Sequence, residues 1–544
     1  MHLFRILFVL AVLLIGVGCD SSDERVDSRT VFRYNEATGI PTLDPAFARE
    51  QATIWAVKHV FSTLVELDST LTPQPLVAAS WKQEGLQWTF FLRQEVWFHP
   101  GPGLPKGRKL VASDVVYSYR RLADPALAAP GAWVLENVDT VYALSDSIVV
   151  VKVKKAGPSL LGFLAMAYCS LVPKESVDAL GNQFGQHPVG TGPFVFKRWL
   201  TGEKLVFRKN NRYFERDAEG KSLPYLEAVS IRFVPDRQAA FLSYLKGDFD
   251  VVNGLDGSYK DQLFTTAGQL QPGLEKNHRL QKAPFLNTEY LAIVQDKPNP
   301  FYLRDVRVRK ALSYAIDRPA LVRHLKNNIG IPAHGAMIPA GLEGFRSEKE
   351  WKNPWVLRKD SAVYFLREVG LVDAQGQWKK KYPPLVLSTA ETGRDVCEFI
   401  QSQWQSVGVP CRIEVLPAAA FRESKSQAGL GIFKGSWIAD YPDPENYLSL
   451  FDSRRWTPAG PNYTRTASAV YDSWLDASLR ASTREERLPY LYAMEEWVHS
   501  QVVVIPLWYD ESVRVLRKNI RGVPKHPLFY LDLRRAYKES PSIP

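Results

Sequence analysis

Helical periods of apolar residues alternate with β-branched runs from residue 31 almost to the end of this 544-residue chain. That alternation is the mark of an α/β architecture. Ile54, Val57, Phe61 and Leu64 lie on one face of an expected helix, and residues 88–92 and Ile148–Val153 read as strands. Ser113 is placed to cap a helix whose apolar face is Val115, Tyr119 and Leu122. Asp236 can start a helix that runs to Leu245 and stops at Gly247, ahead of a strand over 249–252. Val308, Leu312, Ala315 and Ile316 form another stripe, after which Asp317-Arg318-Pro319 closes one helix and opens the next. Val396, Phe399, Gln403 and Val407 repeat the pattern, with Gly408 before the strand Cys411–Leu416. Thr483-Arg484-Glu485-Glu486 is a capping box for a helix carrying Leu488, Leu491 and Trp497. A chain of this length exceeds what one hydrophobic core can organise, so two or more lobes are expected.

The N-terminus adds an address. Arg5 precedes an apolar run over 6–15 that ends in small residues and then Cys19, the layout of a signal peptide spanning 1–18. The run is shorter than the about 20 residues a membrane-spanning helix needs, and Asp20-Ser21-Ser22-Asp23 follows at once. Ile15-Gly16-Val17-Gly18-Cys19 resembles a bacterial lipobox, in which the acylated cysteine becomes the mature N-terminus, although Gly16 stands where leucine is preferred. Residues 19–30 then form a lipidated, polar tether. Nothing downstream of residue 18 is apolar enough to span a membrane, so the expected location is the outer side of a membrane, anchored at Cys19.

The formal net charge is +10. No basic run interleaved with aromatics and no zinc-finger spacing accompanies it, which argues against nucleic acid. Lys379-Lys380-Lys381 reads as solvated surface. Signatures of catalysis are missing: there is no H-E-x-x-H, no G-x-S-x-G and no Walker A, and Gly101-Pro102-Gly103 lacks the third glycine of a dinucleotide loop. The nine histidines have no metal-ligand spacing, and nothing calls for a cofactor. Ser243-Tyr244-Leu245-Lys246 matches the S-x-x-K of penicillin-binding serine acyltransferases, but S-D-N and K-T-G are absent. After Cys19 only Cys169, Cys397 and Cys411 remain; buried thiols are the default, and a bridge between Cys397 and Cys411 stays open.

A series of motifs runs through most of the chain in one order. Thr42-Leu43-Asp44-Pro45-Ala46 is followed by Phe61-Ser62-Thr63-Leu64-Val65 and Pro75-Leu76-Val77-Ala78-Ala79-Ser80-Trp81. Ala112-Ser113-Asp114-Val115-Val116-Tyr117-Ser118, Pro188-Val189-Gly190-Thr191-Gly192-Pro193-Phe194 and Asp305-Val306-Arg307-Val308-Arg309-Lys310-Ala311-Leu312 come later. Together they resemble the peptide- and nickel-type solute-binding proteins of ABC importers, extracellular solute-binding family 5, from about Tyr34 to Tyr530. Read physically, Gly190 and Gly192 supply positive φ for a sharp turn into a strand. Arg307 and Arg309 suit salt bridging at a helix start.

The resemblance implies a two-lobed, periplasmic-binding-protein-like α/β fold of the type II kind with an extra inserted subdomain and a ligand cleft between the lobes. Lobe I would take 31–60, 187–285 and 506–544, the inserted subdomain 61–186, and lobe II 286–505. It implies a binding protein rather than an enzyme, working as a monomer with permease and ATPase subunits, and enclosing ligand by hinge closure. The segment Gly435-Ser436-Trp437-Ile438-Ala439-Asp440-Tyr441-Pro442-Asp443-Pro444 looks like the stretch in which peptide-binding members carry an aspartate for the ligand ammonium. Asp440 takes that position, Trp437 and Tyr441 are candidate cleft walls, and Arg394 is a candidate for the ligand carboxylate. The alternative for the segment is a turn in which Asp440 and Asp443 cap local backbone. Peptides are the expected ligands; a nickel chelate, haem or an oligosaccharide on the same scaffold are alternatives, as is a binding role without an importer. Cys19→Ala is expected to abolish palmitate labelling and release the protein from the membrane; a variant that stays membrane-bound would count against the anchor.

Overall fold

The computed structural model describes residues 30–539 except 156, 158, 159, 297, 298 and 482. The signal peptide, Cys19 and the tether up to residue 29 lie outside the described residues. Three main sheets carry the fold. The first has the strand order Val31–Asn35, Ala228–Arg232, Lys204–Lys209, Phe194–Leu200, with a parallel first pair and antiparallel neighbours after it. Alternate residues Phe32, Tyr34, Leu205, Phe207, Val229 and Ile231 point to one face and bury it against helix Gln51–Val60. The second sheet is antiparallel, in the order Ala78–Glu84, Gln87–Leu92, Ile148–Val153, Val138–Ser145. In sequence it falls between strands of the first sheet, and it has a core of its own built on Phe90, Val149 and Val151 with helix Ala112–Ala123.

The third sheet has seven strands. Val251–Asn253, Val504–Arg517, His278–Ile293, Ile432–Ile438, Leu385–Ala390 and Cys411–Leu416 follow in that order, with Ile331–Pro332 pairing Val504–Arg517 from the side. The two long strands, His278–Ile293 and Val504–Arg517, run antiparallel through both lobes. One end pairs with Val251–Asn253 beside the first sheet, and the other pairs with Ile432–Ile438. Their ladder breaks between Pro284 and Thr288, whose partners are Glu511 and Tyr509, so Phe285, Leu286 and Asn287 oppose only Asp510. Pro284 has no N–H to continue the ladder, and the bulge turns the strand at the junction of the lobes.

Several expectations match the structure. Residues Ile148–Val153 form a strand, Asp236 accepts the Ala239 N–H at 2.6 Å to cap helix Arg237–Lys246, and Gly247 ends it with φ of 106°. Asp317 caps helix Arg318–Lys326 through the Ala320 N–H, and Thr483 caps Arg484–Gln501 through the Glu486 N–H. Other details differ. The helix carrying Ile54 and Val57 stops at Val60, so Phe61 and Leu64 lie beyond it. There the Val60 carbonyl is taken by the Gly192 N–H at 2.8 Å and the Ser62 carbonyl by the Leu171 N–H at 2.9 Å, contacts from distant sequence that end the helix. Ser113 is not the cap of Ala112–Ala123: the Asp114 carboxylate accepts the Val111 N–H at 2.9 Å and is itself held by Arg108. On helix Arg394–Gln405 the buried face is Cys397, Ile400 and Trp404, one position on from the expected stripe, because the Trp404 indole donates to the Leu312 carbonyl at 3.0 Å. Cys169, Cys397 and Cys411 are buried free thiols, so no bridge joins the last two. Arg309 is buried and donates to the carbonyls of Leu303, Arg304 and Gln501, whereas Arg307 pairs with Asp305 at the surface.

Gly190 and Gly192 are required for a reason other than the expected one. Neither has positive φ. Instead the chain passes against the end of helix Gln51–Val60, where a Cβ on Gly190 would lie 2.2 Å from the Val60 oxygen and one on Gly192 2.5 Å from its carbonyl carbon. Gly192→Ala must therefore displace backbone rather than a side chain. It is expected to lower the unfolding free energy by about 1–3 kcal/mol in denaturant titration; wild-type stability would show that the approach can relax.

Candidate functional site

Strand Ile432–Ile438 reaches the lobe junction, and the loop after it is bound to both lobes. The Ala439 N–H donates to the Leu286 carbonyl at 2.9 Å, which ties the loop to the bulge. Asp443 and Arg487 form a buried ion pair, with Nη1 3.0 Å from Oδ2, and the same carboxylate accepts the Glu445 N–H at 2.8 Å. Asn446, also buried, accepts the Trp437 indole N–H at 2.8 Å and the Asp440 N–H at 3.3 Å on one amide oxygen, while its NH2 group faces the Asp440 carboxylate at 3.5 Å. Neither Asn446 nor Arg487 stood out in the sequence, since an asparagine in a helix and an arginine after a capping box have ordinary uses there.

The structure distributes the four sequence candidates differently. Asp440 lines a cavity of ≈ 420 Å³ between the lobes, together with Arg49, Trp55, Trp133, Tyr168, Phe285 and Tyr530 among others. Trp437 packs onto the core beneath that loop and is not part of the lining. Tyr441 lies behind the wall: its ring meets Phe163 at 4.8 Å and Trp133 at 5.8 Å between centroids, and its hydroxyl donates to Glu445. It thereby joins the Asp440 loop to the inserted domain. Arg394 is exposed at the start of its helix and pairs with Glu391 at 2.8 Å, away from the cavity lining.

The titratable groups lining the cavity are Arg49, Tyr168, Asp440 and Tyr530. Burial pushes the Asp440 carboxyl above the ordinary carboxylate range, with the Asn446 hydrogen bond working against the shift. The Tyr168 phenol is raised, chiefly by burial; Arg49 lowers it and Asp440 raises it, so the phenol sits in the field of both charges. Among the described residues neither Asp440 nor Arg49 has an ion-pair partner. Sequence reasoning missed Arg49, whose one signal is its place three residues past the Thr42–Ala46 motif. Among the described residues no group of three or more His, Cys, Asp or Glu is arranged to hold a metal ion, and no helix is long and apolar enough to cross a membrane. Ser243 and Lys246 sit on the outer part of helix Arg237–Lys246, with Lys246 exposed.

Comparison with known proteins gives this geometry a context. The family described as bacterial extracellular solute-binding proteins, family 5 middle, matches residues 72–458. The periplasmic oligopeptide-binding protein of Salmonella typhimurium is 24% identical, covering 97% of each chain. Heme-binding protein A of Haemophilus influenzae is also 24% identical, covering 97% of this chain and 98% of its own. Among solved structures, the unliganded open form of a periplasmic murein tripeptide-binding protein superposes with a TM-score of 0.79 at 22% identity, covering 94% of this chain and 98% of that one. The fold is thus the two-lobed architecture of periplasmic binding proteins.

Arg487→Met would remove the guanidinium that pairs with the buried Asp443 carboxylate. The expected cost is about 3–5 kcal/mol of stability, read as a lower denaturation midpoint; a loss below 1 kcal/mol would show that water reaches Asp443.

Proposed function

Because the chain belongs to the bacterial extracellular solute-binding proteins of family 5, we propose that it is the peptide-capturing component of an ABC importer. The observation that carries this reading is the pair of unmatched charges in one cavity, Asp440 and Arg49. Both side chains are exposed to the open cleft; closure over a ligand would enclose them, and an enclosed carboxylate then needs a cation from the ligand while a guanidinium suits a carboxylate. A zwitterion supplies both. Haem presents two carboxylates and no ammonium group for Asp440; this favours a peptide even though a haem-binding relative is as similar as the oligopeptide-binding one. The volume of ≈ 420 Å³ falls in the range of small-molecule sites and suits a short peptide, with Trp55, Trp133 and Phe285 as walls that tolerate varied side chains.

In this reading Asp440 takes the ligand α-ammonium and Arg49 its carboxylate, with the Tyr168 hydroxyl between them. Arg49 thus takes the part first given to Arg394. The bulge at Pro284–Thr288 is the hinge about which the lobes close, and Tyr441 latches lobe II to the inserted domain. Closure distinguishes the loaded protein from the empty one for the permease and ATPase subunits. The protein acts as a monomer held at the membrane through acylated Cys19, and it performs no chemistry on its ligand.

Native mass spectrometry of the purified protein is expected to find co-purified peptides. Asp440→Asn is expected to weaken trialanine binding about 10- to 100-fold at pH 7, from loss of a charge-assisted contact, with thermal stability unchanged; unchanged affinity would sink the ammonium role. Binding requires the ionised carboxylate, so protons compete with the ligand. Because burial raises this carboxyl, wild-type affinity should start to fall on acidification at a pH above that of an ordinary aspartate, and the Asn variant should lack that inflection.

A further inference from the structure

Helix Gln51–Val60 presents three polar side chains that the protein leaves unmatched. Trp55, Lys58 and His59 follow the i, i+3, i+4 spacing that puts side chains on one helical face. Among the described residues the buried Trp55 Nε1 and His59 Nε2 atoms have no hydrogen-bond partner. Among the described residues the Lys58 ammonium makes no ion pair or hydrogen bond; its companion is the face of Tyr530, 4.5 Å from the ring centroid. All three residues line a second cavity of ≈ 270 Å³. Trp55, Leu67 and Tyr530 border both this chamber and the cleft, so the two adjoin.

The carboxylates around the chamber are already engaged. Glu66 and Asp532 both pair with Arg534, at 2.8 and 2.7 Å, and Arg534 also holds Glu215. Asp68 accepts hydrogen bonds from Thr70, Thr72 and Gln74. Glu66 and Asp532 attract Lys58 through space without meeting it, and burial pushes the ammonium pKa down. A cation enclosed in this way is costly, and an aromatic face offsets only part of the cost. The indole N–H can only donate and the imidazole can donate from Nε2, so the unmatched groups together call for an acceptor-rich anion.

We propose that this chamber is an anion subsite of the cleft, in which Lys58 takes a carboxylate carried by the ligand, such as the side chain of an Asp or Glu residue in a peptide. The subsite rests on the peptide reading of the cleft: Asp440 and Arg49 hold the ends of the main chain, and an acidic side chain reaches past Tyr530. Trp55 and His59 add donors behind the ammonium. The substrate class that follows is short peptides containing an acidic residue.

The test is calorimetric titration of the full-length protein in detergent with Ala-Glu-Ala and Ala-Gln-Ala, for the wild type and for Lys58→Met and Lys58→Gln, two variants so that a folding defect in one leaves the other to report. The wild type is expected to bind the glutamate peptide about tenfold or more tightly than the glutamine peptide, and the variants to bind both alike. Equal binding by the wild type, or a preference that survives in a folded variant, overturns the subsite. If neither peptide binds, the peptide reading fails, and glutarate decides the subsite separately. A rise in the wild-type melting temperature with glutarate that is lost in the Lys58 variants supports it, and no Lys58-dependent rise overturns it.

Discussion

The antiparallel pairing of His278–Ile293 with Val504–Arg517 is the constraint on which the remainder of the molecule depends. Both strands feed more than one hydrophobic core: Leu516 and the part-buried Phe285 pack with the first sheet, and Leu291, Ile293 and Ile505 pack in lobe II. Neither lobe can be assembled without them, so the two lobes share a backbone ladder. Where that ladder meets Pro284 it lacks a donor, and Phe285 and Leu286 leave the paired register to enter the cleft wall. A single irregularity therefore turns the strand at the lobe junction and forms part of the cavity wall. Asp510, opposite the bulge, is held by Asn287 at 2.7 Å and by the Trp508 indole at 2.7 Å, which keeps the irregular stretch in one conformation.

Around that junction the protein spends its internal partners on position. The Asp440 loop is fixed by Asp443–Arg487, by Asn446 and by the Ala439–Leu286 backbone bond. The C-terminal segment is fixed by Arg534 to Glu66 and Glu215, and by Lys538 to Asp250 at 2.7 Å. With those groups matched, Asp440 and Arg49 at the cleft and Lys58 in the adjoining chamber are charges that make no ion pair among the described residues. In the proposed reading, binding completes a set of contacts that folding leaves incomplete, so affinity for a ligand can coexist with a stable empty state.

The family and the two-lobed fold were legible because motifs such as Pro188–Phe194 and Asp305–Leu312 are contiguous. The Asp440 segment drew notice for the same reason. The role of its members was not. Trp437 turns inward because Asn446, nine residues on, captures its indole, and Tyr441 meets rings from a domain whose strands lie far upstream. Arg394 is taken by Glu391 in its own turn of chain. Arg49 could not be chosen from sequence, because a lone arginine after a motif looks like any surface arginine. The glycines at 190 and 192 were singled out, but their reason was not: a contact with Val60 cannot be seen in a local pattern.

The amino-acid sequence by itself determined the kind and order of elements, the caps at Asp236, Asp317 and Thr483, and the family. These depend on periodicity and on hydrogen bonds that span a few residues. Tertiary structure alone decided where helix Gln51–Val60 ends, which face of Arg394–Gln405 is buried, and which charged groups face the cleft without partners. Those outcomes depend on contacts of about 3 Å between groups such as Lys538 and Asp250, 288 positions apart, or Arg534 and Glu66, 468 apart. A charge is free only when no such distant partner arrives, and that is a property of the folded chain as a whole.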